Sequence, residues 1–549
     1  MKKKLALLFH TLRYLKPIQL YWRFYLKVNQ KLAFSTVIKQ PLCVGAIDFV
    51  PPIAKHASHE NAQFCFLNEY GSAAFPVDWN NDKASKLWLY NLHYFDYLNQ
   101  SIIDQSVALD LIQDWIKCNP VGQGNGWEPY TLSLRIVNWV KFLSQFSLKD
   151  EQLSPVYESL FLQSRFLYKH LEYHLLGNHL FKNGVALMFA GNFFDSKEAQ
   201  CWLTKGRQII LSQTKEQVLE DGGHFERSPM YHVLILEDIL DCLNLDRAKP
   251  CLSSSDSAYL TEKASAMLGF LTDILHPDNE IPFFNDSALN IAPRPEAICD
   301  YADRLGIPYS RAVADSRLIE KPSFGLLVLQ NQLSKMMFDV GCIGPDYLPG
   351  HAHCDTLSYE LSLAGKRCIV NSGTYQYAGS ERNKFRATKA HNTVQIDGVE
   401  QHEIWSTFRV ARRAYPLNIS VDKDNSEEIK CSASVSSFKQ LIGNPVHRRN
   451  VSYQKEQIII SDVIEGEGEH VAESYIHLHP DVNILNQSDD VLQCKLGETV
   501  FSIQALDTLK IHTESAWFSA EFGLKTESTV VVLRKQAMSP FSFGYSIIF

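Results

Sequence analysis

Pro322-Ser323-Phe324-Gly325-Leu326-Leu327-Val328 is where the hydrophobic period of this chain changes. Phe324, Leu326 and Val328 alternate, and Leu357, Tyr359, Leu361 and Leu363 do so again, which puts each set on one face of a strand. Upstream the period is three to four, as in Leu132, Ile136, Trp139, Val140 and Phe142, or Val233, Leu236, Ile239 and Leu240. From about 85 to 318 the chain reads as helices in series, joined by Asn119-Pro120 and His276-Pro277-Asp278. Beyond Pro322, short runs separated by Gly and Asn read as strands. Ile458-Ile459-Ile460 among them fits a strand buried on both faces. Helices first and strands after predict an α+β multidomain protein. Residues 1–84 form a basic helical arm (Leu12 to Leu32) and a Pro-rich extension, 85–318 a helical toroid or solenoid, and 319–549 an antiparallel β-sandwich.

A chain of 549 residues is too long for one core, so two large domains are expected. The net charge of −8 speaks against a nucleic-acid partner. Twelve cysteines occur without a CxxC pair, which excludes a disulfide framework and a thiolate zinc site and fits a reducing compartment. Met1-Lys2-Lys3-Lys4-Leu5-Ala6-Leu7-Leu8-Phe9 imitates a signal peptide, but His10, Arg13 and Lys16 interrupt the apolar run. The expectation is a cytoplasmic protein whose uncleaved amphipathic arm packs on the body or touches a membrane surface. Oligomeric state is not legible.

Two polar clusters carry chemistry. In helical sequence, Asn178 and His179 precede an apolar run, with Lys182 and Asn183 one turn on. Asn178 reads as an N-cap or as a functional amide. Ser228-Pro229 reads as cap and first helical residue, which puts Tyr231 in a first turn where the helix dipole would lower a phenol's pKa. Arg135 interrupts an apolar helix face and calls for a partner: a substrate carboxylate, Glu128 or another acid. In strand sequence, Gly350 to Ala364 taken as extended points His351, His353, Asp355 and Leu357 to one side. That spacing suits two imidazoles on a metal, with His391 and either Asn371 or Asp355 to complete the set, or one proton-transfer histidine and one that orients it. The basic stretch Arg382 to Lys389 could hold an acidic substrate. Imidazole, phenol and amide in two clusters predict acid/base chemistry in a cleft between domains.

Six stretches together resemble the heparinase II/III-like polysaccharide lyases. They are Gly177-Asn178-His179-Leu180, Phe225 to His232, Phe284-Asn285-Asp286-Ser287, Gly350 to Ser358, Gly373-Thr374-Tyr375 and Ala390-His391-Asn392-Thr393. The resemblance covers about residues 85 to 420 and implies an incomplete (α/α) toroid followed by an antiparallel β-sandwich. It also implies β-elimination at a uronic acid of an acidic polysaccharide or oligosaccharide, without an organic cofactor. Asn178 and His179 would neutralise the uronate carboxylate. Tyr231 would be base, acid or both, with His351 its partner across the cleft. Arg135, Asn183, Glu226, Tyr375 and Arg386 would contact substrate. His353 and His391 match positions of a structural zinc, with Asn371 where relatives carry an aspartate, and a neutral amide is a poorer ligand. A uronyl C5-epimerase would use the same proton-transfer groups, and a carbohydrate-binding protein could keep the fold alone. The basic arm resembles family members encoded with bacterial capsule or O-antigen synthesis.

Overall fold

The computed structural model describes residues 2–28, 34–38, 42, 44–146, 151–310, 317–423, 428–436 and 440–549. Helices α1 (Lys2–Leu12) and α2 (Pro17–Val28) form the arm. The arm is thus broken by Pro17, whose ring cannot continue a helix from the preceding turn, and the expected end at Leu32 lies outside the described residues. The extension holds an unexpected three-stranded antiparallel sheet, His59–Glu60, Gln63–Phe66 and Glu69–Ser72.

The helical domain comprises α3 (Lys86–Tyr94), α4 (Gln105–Cys118), α5 (Pro129–Leu143), α6 (Ser154–Lys169), α7 (Gly177–Phe193), α8 (Lys197–Gln217), α9 (Pro229–Ala248), α10 (Ser254–Ile274) and α11 (Pro295–Leu305). The odd members α3, α5, α7, α9 and α11 pack in succession, and the even members α4, α6, α8 and α10 pack in a second succession outside them. Two concentric layers make the incomplete (α/α) toroid. Burial follows the layers: α7 and α9 are almost wholly buried, apolar where they meet neighbouring helices and polar at Asn178, Lys182, Asp238 and Asp241. The α7–α8 pair closes tightly because Gly206 faces α7, where a Cβ would come within 2.7 Å of the Gly184 carbonyl oxygen.

The C-terminal domain stacks three large antiparallel sheets and carries a two-stranded ribbon, Ile404–Ser406 with Arg409–Val410. The first holds Leu318–Lys321, Leu326–Gln330, Ser334–Asp339, Tyr359–Leu363 and Lys366–Ile369. An eight-stranded sheet and a four-stranded sheet complete the sandwich. Leu361, Ile396, Ile460, Phe501 and Val531, drawn from all three, share one buried core. In Gln457–Glu465 burial alternates, so Ile458 and Ile460 are buried and Ile459 only half so; one face, not two, meets the core. Gly350 to Ser358 is also not a strand but a turn-rich loop, in which Leu357 takes φ +63° before the strand begins at Tyr359.

The segment between α10 and α11 ties the domains together. His276 Nε2 meets Glu360 at 2.9 Å, Asp278 pairs with Arg367 at 2.6 Å, and Leu289 donates its N–H to the Ala520 carbonyl at 2.7 Å. Phe283 packs on Val370 and Phe518 of the sandwich.

Candidate active site

A cleft of about 1170 Å³ opens where the toroid, the sandwich and the arm meet. The toroid side is built by two helix starts. Ser228 caps α9, accepting the Tyr231 N–H at 3.2 Å, and Pro229 is the first helical residue, so Tyr231 stands in the first turn as expected. Helix α7 begins abruptly: Leu176 has φ +67° and Gly177 φ +56°, and a Cβ at 177 would lie 2.2 Å from Leu348 Cδ2. That strained entry places Asn178 inside the helix rather than at its cap, with its Nδ2 donating to Glu226 Oε1 at 3.1 Å. His179 leans over the Tyr130 ring, 4.5 Å between centroids, and its Nδ1 meets Glu172 Oε1 at 3.1 Å. Burial would lower the His179 pKa, but Glu172 outweighs it and raises it above the ordinary histidine value.

From the sandwich side, the His351 ring lies against that of Tyr231, 3.9 Å between centroids. The two residues expected to face each other across the cleft are in contact. Tyr231 Oη also meets Tyr377 Oη at 3.1 Å. Burial pushes the Tyr231 phenol well above its usual value, and Tyr377, Tyr130 and Asp286 add to this, so the dipole effect expected from the first turn does not prevail.

Asp286 is the hub beneath. His351 Nδ1 meets its Oδ2 at 2.9 Å, His353 Nε2 meets its Oδ1 at 2.8 Å, and Arg382 donates to both oxygens. Burial alone would raise this carboxyl, but Arg382 and the imidazoles hold it well below the usual range. The other nitrogen of His351, Nε2, stands 3.6 Å from Glu226 Oε2. Deeper in the cleft Lys182 pairs with Asp238 at 2.8 Å and Lys141 with Asp241 at 2.6 Å. Asp238 Oδ2 has no hydrogen-bond partner, and burial pushes that carboxyl up to about 6.

Asn178, His179, Tyr231, His351 and Tyr375 line the cleft, whereas Arg135, Asn183 and Arg386 do not reach it. Arg135 is wholly buried, donates to Gln163 Oε1 and to the His93 and Gly126 carbonyls, and lies over Trp115. Its partner is therefore neither a substrate carboxylate nor Glu128, which instead takes Lys86. Arg386 donates to the carbonyls of Ala352, Ser406 and Thr407 and braces the loop that carries His351. Asn183 grips Glu172 by both ends of its amide and so acts on His179 at one remove. Glu226 is buried behind Asn178 rather than open to the cleft. Asp286, Arg382, Glu172 and Tyr377 were absent from the predicted set. Asp286 stood in a quoted motif and Arg382 in the basic stretch, but no spacing rule links residues 286, 351 and 382.

His353 and His391 are fully buried with ring centroids 5.2 Å apart. His353 Nδ1 is left without a hydrogen bond, and neither ring nitrogen of His391 makes one of ordinary geometry. Asn371 does not complete a metal set, because its Oδ1 accepts the Asn392 N–H at 3.2 Å and its Nδ2 points to Ser358 Oγ at 3.4 Å. Among the described residues no three His, Cys, Asp or Glu side chains converge on a cation position. Two imidazoles and an engaged amide do not fit a closed zinc site.

Residues 102–298 match the model "Heparinase II/III N-terminus", and residues 315–544 match "Heparinase II/III-like, C-terminal". The chain belongs to the heparinase II/III-like family. Within this family it is 27% identical over 315 residues to a heparin-sulfate lyase of Pedobacter heparinus, covering 52% of this chain and 47% of that one. To a heparin-sulfate lyase of Bacteroides stercoris it is 24% identical over 428 residues, 69% of this chain and 60% of the relative. The matched part thus spans about half the length of these relatives. A solved heparinase III superposes with a TM-score of 0.69 at 17% identity over 97% of this chain and 85% of that one. A chondroitin AC lyase from Streptomyces coelicolor does so with 0.54 at 7% over 84% and 74%. These likenesses bear out the toroid-then-sandwich architecture.

Proposed function

We propose that this heparinase II/III-like protein is a polysaccharide lyase, cleaving a uronate-containing acidic glycan by β-elimination in bacterial capsule or O-antigen metabolism. The observation that carries the reading is the convergence of His179 and Asn178 with the Tyr231–His351 pair in one cleft. The heparin-sulfate lyases among its relatives support the reaction class.

Removing a proton α to a carboxylate builds charge on that carboxylate, so fixed donors aimed at it supply much of the rate. His179, whose pKa Glu172 raises, and the Asn178 amide, steadied by Glu226, suit that role. His351 donates Nδ1–H to Asp286, a tautomer assigned from the contact with a carboxylate held ionised by Arg382. Its Nε2, 3.6 Å from Glu226 Oε2 and outside hydrogen-bond range of it, is then placed to act as base. Tyr231, kept protonated by burial, is the acid. The C5–H bond breaks and its proton passes to His351 Nε2. The freed pair forms the C4–C5 double bond, the C4–O4 bond breaks, and O4 takes the Tyr231 proton. No step runs through a metal or an organic cofactor. Residence in the cytoplasm belongs to the same proposal and rests on the unpaired state of every described cysteine.

The test is a panel of uronate polymers followed by the ultraviolet absorbance of an unsaturated uronate. Cleavage of at least one polymer is expected, and Tyr231→Phe should lower turnover by roughly 10²–10⁴-fold with the fold intact. Near-normal turnover in that variant, or solvent deuterium entering C5 without cleavage, overturns the assignment; the latter would mark an epimerase.

A further inference from the structure

The N-terminal arm differs in charge from everything that follows it. Residues 1–47 contain nine Lys and Arg and no Asp or Glu, so the remaining 502 residues carry a net −17 within a total of −8. The arm is also where exposed apolar side chains concentrate. Leu5, Phe9, Leu12, Ile18, Leu20, Tyr21, Phe24 and Val28 are all exposed, Phe9 by 64% and Phe24 by 70%.

The two helices are two-faced. Leu8, Thr11, Leu15 and Gln19 turn inward and line the cleft. Trp405 donates its indole N–H to Thr11 Oγ1 at 3.0 Å, Gln19 Nε2 reaches the Leu175 and Tyr347 carbonyls at 3.3 and 3.4 Å, and Lys16 pairs with Glu216. The arm is thereby pinned to both domains. On the outer side Leu5 and Phe9 stand one turn apart on α1, and Leu20, Phe24 and Val28 follow at intervals of four on α2. Lys4, Arg13 and Lys27 are exposed beside them. An exposed apolar row on each helix with cations beside it, on an otherwise acidic molecule, is not a neutral feature of a soluble surface.

We infer that α1 and α2 dock flat on an anionic lipid bilayer, with the outer apolar strip in the headgroup boundary and the cations against the phosphates. The arm lies on the membrane and does not cross it: helices of 11 and 12 residues reach only about 18 Å each, and no described helix is long and apolar enough to span. Charge decides the orientation. An anionic surface attracts the arm and repels the body, so the molecule approaches arm first. The inner face of the same helices walls the cleft, so docking holds the cleft at the lipid surface. A second copy meeting arm to arm would bring two clusters of like charge together, which disfavours that occupant.

The test is co-sedimentation of the full chain with vesicles of phosphatidylcholine alone or mixed with phosphatidylglycerol. Binding to the mixed vesicles only, reversed by salt, is expected. Phe9→Glu with Phe24→Glu should weaken it roughly tenfold or more, as should Lys4→Glu with Lys27→Glu, which keeps every apolar side chain. Unchanged thermal midpoints show that both variants fold, since these side chains are exposed in the free protein. Equal or absent binding to both vesicle types overturns the inference, as does a double variant that binds like the parent. Self-association abolished by Phe9→Glu with Phe24→Glu, without vesicle binding, also overturns it and assigns the strip to a second copy.

Discussion

At the scale of single residues, the candidate chemistry depends on what holds each ionisable group. In the proposed chemistry His179 serves as a cation, and Glu172 favours that form by raising its pKa against the effect of burial. Because the folded pKa is raised, the imidazolium is fully present below the ordinary histidine value of 6.5 and is lost as pH rises through the folded value. Activity should therefore fall on the alkaline side. Glu172→Gln should move that limb to lower pH, a change that a merely structural role would not produce; an unmoved pH profile would remove Glu172 from the mechanism. The sequence made His179 visible, through its place beside Asn178. It did not reveal Glu172, which sits in a loop that only folding brings beneath the ring. Arg135 shows the opposite error. An arginine in an apolar helix face needs acceptors, and the sequence shows that need but not whether substrate or backbone meets it. Here Gln163 and two main-chain carbonyls do.

At the scale of elements, helix starts do most of the positioning. The Ser228-Pro229 start of α9 was legible because an N-cap hydroxyl and a proline at the first helical position are local rules. The start of α7 was not, because its geometry is imposed by Leu348 packing over Gly177 from another part of the chain. Gly177→Ala should cost about 1–3 kcal/mol from positive φ and the clash, and should lower turnover more than substrate affinity by shifting Asn178 and His179. Urea unfolding and steady-state kinetics check this. Adding Leu348→Ala should relieve the clash but not the backbone strain, so recovery should be partial; full recovery would show that φ does not matter. The loop from Gly350 to Ser358 failed as a strand prediction for a related reason. Its alternation of His351 and His353 is real, since both imidazoles reach Asp286, but one carboxylate organises it and not a sheet ladder.

At the scale of the whole molecule, the cleft exists because two domains are held in one arrangement, and Asp286 is a principal tie. It belongs to the toroid segment, whereas His351, His353 and Arg382 come from the sandwich. Asp286→Asn would leave Arg382 buried without its counter-charge, at a cost of about 3–5 kcal/mol, and should separate one cooperative unfolding transition into two. Its carboxyl is depressed, so in the parent protein this stabilisation is complete above roughly pH 4 and is lost as pH falls through the folded value. A single, unshifted transition in the variant would show that the His276–Glu360 and Asp278–Arg367 contacts suffice. The sequence by itself determined the two-domain order, the all-helical and all-strand halves, the Tyr231 helix start and the charge of the arm, because periodicity, capping and composition act over a few residues. Only the tertiary structure decided which polar groups share the cleft, that Tyr231 lies on His351, and that Arg135 and Arg386 serve the backbone. Those outcomes depend on burial and on contacts between residues from tens of positions to more than a hundred apart, and no local pattern encodes a partner at that distance.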